Sequence, residues 1–174
     1  MSIITSWFFH ILFLPGRMLH TLITKNLIAR YDLKVYTIDY LEIEHKKSQI
    51  LYEAPKTLKE KYVIGAGPFF ILSGLSILLY YAALTVEATT IISILFIYSG
   101  MACAFASFPS TEISHELWKA TQQGIKQGDI LAIIFCIPIA FFNLVKFFYI
   151  FKLELLFAVG LFIWLSFKLD IDPF

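Results

Sequence analysis

Histidine, carboxylate and hydroxyl side chains gather at two places in this chain, each beside a long apolar run. Arg17 and His20 fall within the first apolar stretch, with Thr21 and Thr24 directly after. The second group is Pro109-Ser110-Thr111-Glu112, continued by His115-Glu116. Imidazole and carboxylate groups move protons near neutral pH or ligate a metal. An ionisable group inside an apolar segment is costly enough that it faces protein or a water-filled cavity, so Arg17 and His20 are expected to point inward, toward the polar groups of the second cluster. A shared polar site is the expectation, provided the elements carrying the two clusters bring them to one level.

Five apolar segments would have to do so: 3–23, 63–86, 89–108, 130–150 and 153–167. A helix rising 1.5 Å per residue needs about twenty residues to cover about 30 Å of hydrocarbon. The middle three meet that length almost free of charge. The first is interrupted by Pro15-Gly16-Arg17 and His20, so its second half is expected either to kink or to approach the interface; the last is short, with Lys152 and Lys168 placed to snorkel at its ends. Composition agrees, since 59% of the residues are hydrophobic against roughly 45–50% in soluble domains. Charged residues make up only 16%, too few to cover a water-facing surface, and the mean hydropathy is +0.75. The chain therefore reads as one α-helical integral membrane domain, 1–174, of about five transmembrane helices, with the lipid bilayer as its first partner. A net charge of +1 offers no field for nucleic acid. Cys103 and Cys136 both sit in apolar runs, where a thiol acts as a small soft hydrophobe.

The polar stretches fall between these segments. Residues 24–62 carry eight of the fourteen Lys and Arg together with six acidic residues. Within them Leu33 to Ile43 alternates apolar with polar residues, the period of a half-exposed strand, and Ser48 to Tyr52 is placed to pair with it across Glu44-His45-Lys46-Lys47. A small interfacial β-hairpin is predicted. Residues 109–129 place Ile113, Leu117 and Trp118 on one stripe of a short amphipathic helix that Gly124 and Gly128 are expected to end. These two stretches hold ten of the fourteen basic residues, which puts both on the cytoplasmic side, with an outer N-terminus and an inner C-terminus for five spans.

The order of short motifs resembles that of small intramembrane zinc metalloproteases of the site-two-protease type. The resemblance rests on the run from Pro15 to Thr24, the strand-like Leu33-Lys34-Val35-Tyr36, the helix opening Gly67-Pro68-Phe69-Phe70 and Phe108-Pro109-Ser110-Thr111. It covers most of the chain and implies a fold in which His-Glu-x-x-His on a membrane helix binds zinc while the Glu activates water. Aligned on His20, this chain has Thr21 in place of the Glu and Thr24 in place of the second His. The family's third ligand, an Asp soon after Pro-Ser, falls among Thr111, Glu112 and Ile113, and the Asn expected after Gly-Pro falls near Leu72 and Ser73. A neutral hydroxyl matches neither an imidazole ligand nor a general base. The resemblance thus implies the scaffold without the chemistry, with His20, Thr21, Thr24, Pro109, Ser110, Thr111 and Glu112 as a vestigial site.

The expected function is a non-catalytic multi-pass subunit of a membrane complex, without a cofactor. Its partner would be another membrane protein or an extended peptide that adds to the predicted strand edge. Two alternatives stand beside it. An active metallopeptidase would need zinc on a rearranged set, His20, Glu112 and His115, although a His-Glu pair on a polar helix is more often solvated. A small transporter or channel component would use Arg17 as a buried cation, without the internal repeat that usually marks such proteins.

Overall fold

A computed structural model describes residues 12–38, 50–85, 90–147 and 153–169, and shows a mostly helical chain with one small antiparallel sheet. In order the elements are α1 (Leu14–Ala29), β1 (Val35–Ile38), β2 (Ile50–Tyr52), α2 (Leu58–Thr85), α3 (Thr90–Ala106), α4 (Thr111–Lys126), α5 (Ile130–Phe147) and α6 (Leu153–Lys168). They fall into two compact units. Met1–His20, Phe70–Ser107 and Lys152–Phe174 make the first; Thr21–Phe69 and Phe108–Phe151 make the second.

The first unit packs through small residues and rings. A Cβ on Gly16 would stand 2.0 Å from the Ala102 carbonyl oxygen and 3.1 Å from the Ala106 methyl, so α1 and α3 meet backbone to backbone. Phe13 stacks on Phe105 with ring centroids 4.3 Å apart. Tyr80 lies on Gly100, meets Phe162 edge to face, and donates its hydroxyl to the Ala158 carbonyl at 3.1 Å, linking α2, α3 and α6. The buried Tyr80 thereby brings its own polar atom a partner, as an apolar interior requires.

The second unit takes up α1 from Thr21 onward. Asp32 takes φ 53, a left-handed turn that Asp tolerates, and Leu33 N–H closes back on the Ile28 carbonyl. Ile28, Ile50 and Ile64 form a core onto which Leu27, Tyr31, Val35, Ile38 and Tyr52 pack. β1 and β2 pair as Val35 with Tyr52, Thr37 with Leu51 and Ile38 with Ile50, with a bulge between Val35 and Thr37. Ser110 caps α4 through the Ile113 N–H, and Asp129 caps the start of α5 through the Leu131 N–H. Tyr62 stacks on Phe135, while Phe69, Phe108 and Phe142 meet edge to face.

Several boundaries differ from those read in the sequence. The first helix continues to Ala29, six residues beyond Ile23, because Leu27 and Ile28 feed the core of the second unit. Pro15 falls in its first turn, where a missing N–H is harmless, and the interruption expected there appears just before it, as a turn at Phe13 that parts helical Leu12 from α1. The second helix begins at Leu58 instead of Val63. Thr57 accepts from Glu60 N–H, and the Glu60 carboxylate accepts from the N–H groups of Lys56 and Thr57, a reciprocal cap that apolar windows overlook. Gly124 does not end α4; it lies within it, packed on Ala132 and Leu58, and Gly128 at φ 75 makes the stop. The two strands are present at Val35–Ile38 and Ile50–Tyr52, the rest of the expected 39–43 and 48–49 lying outside the described residues, and the bulge breaks the strict alternation so that Val35 and Ile38 both turn inward. The turn 44–47 and the stretch 1–11 lie outside the described residues.

One described helix, Leu58–Thr85, is long and apolar enough to cross a membrane, or two spans exist if α3 and α4 count as one broken span. At 17 and 16 residues, α3 and α6 fall short of the length a straight crossing needs. Large apolar side chains nevertheless stand exposed along them and along α5, among them Ile91, Ile94 and Leu95, then Ile133, Ile134 and Ile137, then Leu156, Trp164 and Phe167.

Candidate functional site

The residues singled out in the sequence divide between the units. Arg17 and His20 belong to the first; Thr21, Thr24, Pro109, Ser110, Thr111, Glu112 and His115 belong to the second. His20 is half-buried, and its Nδ1 lies 2.7 Å from the Ala106 carbonyl oxygen. A carbonyl only accepts, so Nδ1 carries the proton and the ring is held in one orientation. Zinc-binding histidines are commonly oriented this way. The other candidate residues are engaged or placed otherwise: Thr21 and Thr24 are buried hydroxyls, Ser110 spends its oxygen on the cap of α4, and His115 is exposed on that helix. Among the described residues no three His, Cys, Asp or Glu side chains come together as a metal site.

Glu112 is instead part of a different feature. A cleft of about 440 Å³ opens in the second unit between β2 and α4, with the start of α2 as its third side. Ile50, Leu51 and Tyr52 of β2 line one wall, followed by Ala54 and Pro55. Glu112, Ile113, Glu116, Leu117, Lys119, Ala120 and Gln123 of α4 line the other, and Lys61 and Gly65 of α2 complete it.

Local sequence explains how the cleft is held. Gly65 lets α4 approach: a Cβ there would meet Leu117 at 2.9 Å and Ile113 at 3.1 Å. Deeper, Tyr62 donates its hydroxyl to Thr121 Oγ1 at 3.0 Å, and Thr121 passes its own proton to the Leu117 carbonyl at 2.7 Å. This buried chain pins α2 to α4. Asn143 donates to the Ser114 carbonyl at 3.3 Å and the Ile139 carbonyl at 3.0 Å, tying α4 to α5. The α4 wall is thus braced from behind, on two sides.

The β2 wall is a sheet edge. Among the described residues the sheet has two strands, so β2 pairs with β1 on one side only. Glu53 N–H reaches the Lys34 carbonyl on the β1 side at 2.8 Å. Alternation along a strand then turns the N–H and C=O of Tyr52 to the other edge. Tyr52 is half-buried, and its phenol is pushed above its ordinary value, first by burial and then by the Glu116 carboxylate.

The spacing of Glu112, Glu116 and Lys119, at i, i+4 and i+7, already places them along one face of a helix. Lys61 and Tyr52 carried no comparable signal, because their role depends on β2 and α4 lying opposite each other. Comparison with protein-family models, with curated proteins and with solved structures gives no match.

Proposed function

We propose that this chain is a non-catalytic, multi-pass membrane protein that binds an extended segment of another membrane protein by adding it as a third strand to β2. The observation that carries this reading is the cleft itself: a strand edge that is unpaired among the described residues faces a braced helix across a space of about 440 Å³. Strand addition draws its affinity from main-chain hydrogen bonds and its selectivity from flanking side chains, and it needs no metal. Threonine at positions 21 and 24 is consistent with a metalloprotease-like scaffold that has kept a peptide groove and given up hydrolysis.

Membrane residence rests on the long apolar helix α2 and on the exposed apolar faces of α3, α5 and α6. Ile137 is 80% exposed in mid-helix and Ile91 72% exposed, a pattern that costs little in hydrocarbon and much in water. The shorter helices would cross with local thinning of the bilayer, and the basic stretches 24–62 and 109–129 would lie on the cytoplasmic side.

The test is a photo-crosslinking residue in place of Leu51, on the cleft wall, with the full chain in its native membranes. An adduct to an extended segment of a different membrane protein is expected. Adducts to lipid alone, or only between copies of this chain, would refute the reading.

A further inference from the structure

The four ionic side chains of the cleft are not distributed evenly. Glu112 and Glu116 stand one turn apart on α4, with Tyr52 of β2 close enough to Glu116 for its ionisation to respond. Lys119 follows on the same helix and Lys61 comes from α2. The two helices run in opposite senses here, since Leu58 lies by Gly124, Tyr62 bonds Thr121 and Gly65 meets Leu117 and Ile113. Lys61 therefore falls at the level of Lys119 and Ala120, away from Glu112. All four side chains are exposed, and among the described residues no ion pair joins them. The cleft consequently has an acidic end and a basic end over an apolar floor of Ile50, Ile113 and Leu117.

Resting on the strand-addition reading, we infer that the segment taken up carries a basic and an acidic side chain two residues apart, the basic one at Glu112 and Glu116 and the acidic one at Lys61 and Lys119. The spacing follows from geometry. From the midpoint of Glu112 and Glu116 to Lys119 is five helical residues, about 7.5 Å at 1.5 Å each. An extended chain covers that in roughly two residues at about 3.3 Å each, and i and i+2 side chains share one face. Such a pair fixes both the register and the direction of the incoming strand, because the opposite order brings like charges together at both ends. The exposed cleft charges hold solvent in the meantime, so the free protein does not bear the cost of burying them unpaired.

The experiment uses the full-length protein in nanodiscs and fluorescein-labelled ten-residue peptides of Val and Thr. They differ only at two positions two residues apart, which carry Glu then Lys, Lys then Glu, or Ser at both; a fourth copies the best binder with N-methylated backbone amides. One charged order is expected to bind at least tenfold more tightly than the other and than the Ser peptide. Reversing the cleft with Glu112→Lys, Glu116→Lys, Lys61→Glu and Lys119→Glu should exchange the preference between the two orders. Should that variant not fold, Glu112→Lys with Glu116→Lys alone should abolish the preference. Equal binding of all three unmethylated peptides, binding of none, or a preference that the reversal leaves in place would overturn the inference. The parent reading has its own marker. If the N-methylated peptide binds as well as its parent while the charge preference persists, strand addition is wrong and charge selection stands.

Discussion

The first and second units use the same apolar alphabet in different ways. In the first, Gly16 against Ala102 and Gly100 against Tyr80 bring helices close through absent side chains, and the Tyr80 hydroxyl ends on a carbonyl of α6. Close packing of backbones and such hydrogen bonds hold the helices together. The second unit adds what soluble domains use: the Ser110 and Asp129 caps, a strand pair with a bulge, and a buried Tyr62–Thr121 bond. Its polar groups are spent on positioning β2 opposite α4. The contrast separates a part that packs from a part that presents a surface, and the cleft belongs wholly to the latter.

The contrast can be broken most forcefully in the second unit. Phe142 is fully buried and meets both Phe69 and Phe108. Phe142→Ala should cost about 3–5 kcal/mol, because the rings around it cannot close the void. Its neighbour Phe141 is 40% exposed, and Phe141→Ala should cost much less. Reversible unfolding in mixed micelles, followed by tryptophan fluorescence, measures both. Equal losses would mean that the aromatic cluster is not the core of this unit.

In the first unit the sensitive position is one that has no side chain. Gly16→Ala drives a methyl into the Ala102 carbonyl, a backbone atom that no rotamer change can move aside, and should destabilise by about 1–3 kcal/mol. Gly74, in α2, has open space around it, so Gly74→Ala should be neutral or stabilising by up to about 1 kcal/mol through helix propensity. The same unfolding assay decides between them. A harmless Gly16→Ala would show that α1 and α3 are not held backbone to backbone.

Much of this division was legible in the residues. The helices of 90–106, 130–147 and 153–168 lie within two or three residues of their apolar runs, because an uninterrupted run this long has few other ways to satisfy its backbone. The strand pair was readable from the alternation at 33–43. The bulge was not, since nothing in Val35-Tyr36-Thr37-Ile38 marks which residue will be left over when Ile38 turns toward Ile28 and Ile50. The early start of α2 was written in Thr57-Leu58-Lys59-Glu60, a capping signature outside the apolar window. The candidate site was the least legible. His20, Ser110 and Glu112 stood out as polar residues beside apolar runs, yet Ser110 caps a helix and Glu112 faces a cleft whose far wall, β2, is set by tertiary packing.

That assignment of Ser110 gives a smaller, sharper test. Ser110 Oγ accepts from Ile113 N–H at 3.3 Å, and Ser110→Ala removes the cap for about 1 kcal/mol. Ser110→Asp should restore the stability, because Asp caps equally well. If Asp failed where Ser succeeds, the hydroxyl would have a role other than capping. Peptide capture at the cleft should weaken in the Ala variant only in proportion to the lost order at the start of α4, where Glu112 sits.

The least of these effects lies in Tyr52 and tells most about the cleft. Its phenol starts from 10.0 and is raised by burial first and by the Glu116 carboxylate second. The folded state thus keeps its proton at a pH where the unfolded chain has lost it. The stability this contributes is complete below the unfolded value and disappears as pH rises through the folded one, so Tyr52→Phe should flatten the alkaline limb of stability against pH. Glu116→Gln removes the second cause and leaves the first. Absorbance titration near 295 nm, taken as the difference between each protein and its Tyr52→Phe counterpart, should show Tyr52 moving downward in the Gln variant without returning to its ordinary value. A full return would make the carboxylate the dominant cause and the β2 wall wetter than its packing on Ile28 and Ile64 implies. No movement would place Glu116 too far from Tyr52 to share a ligand with it.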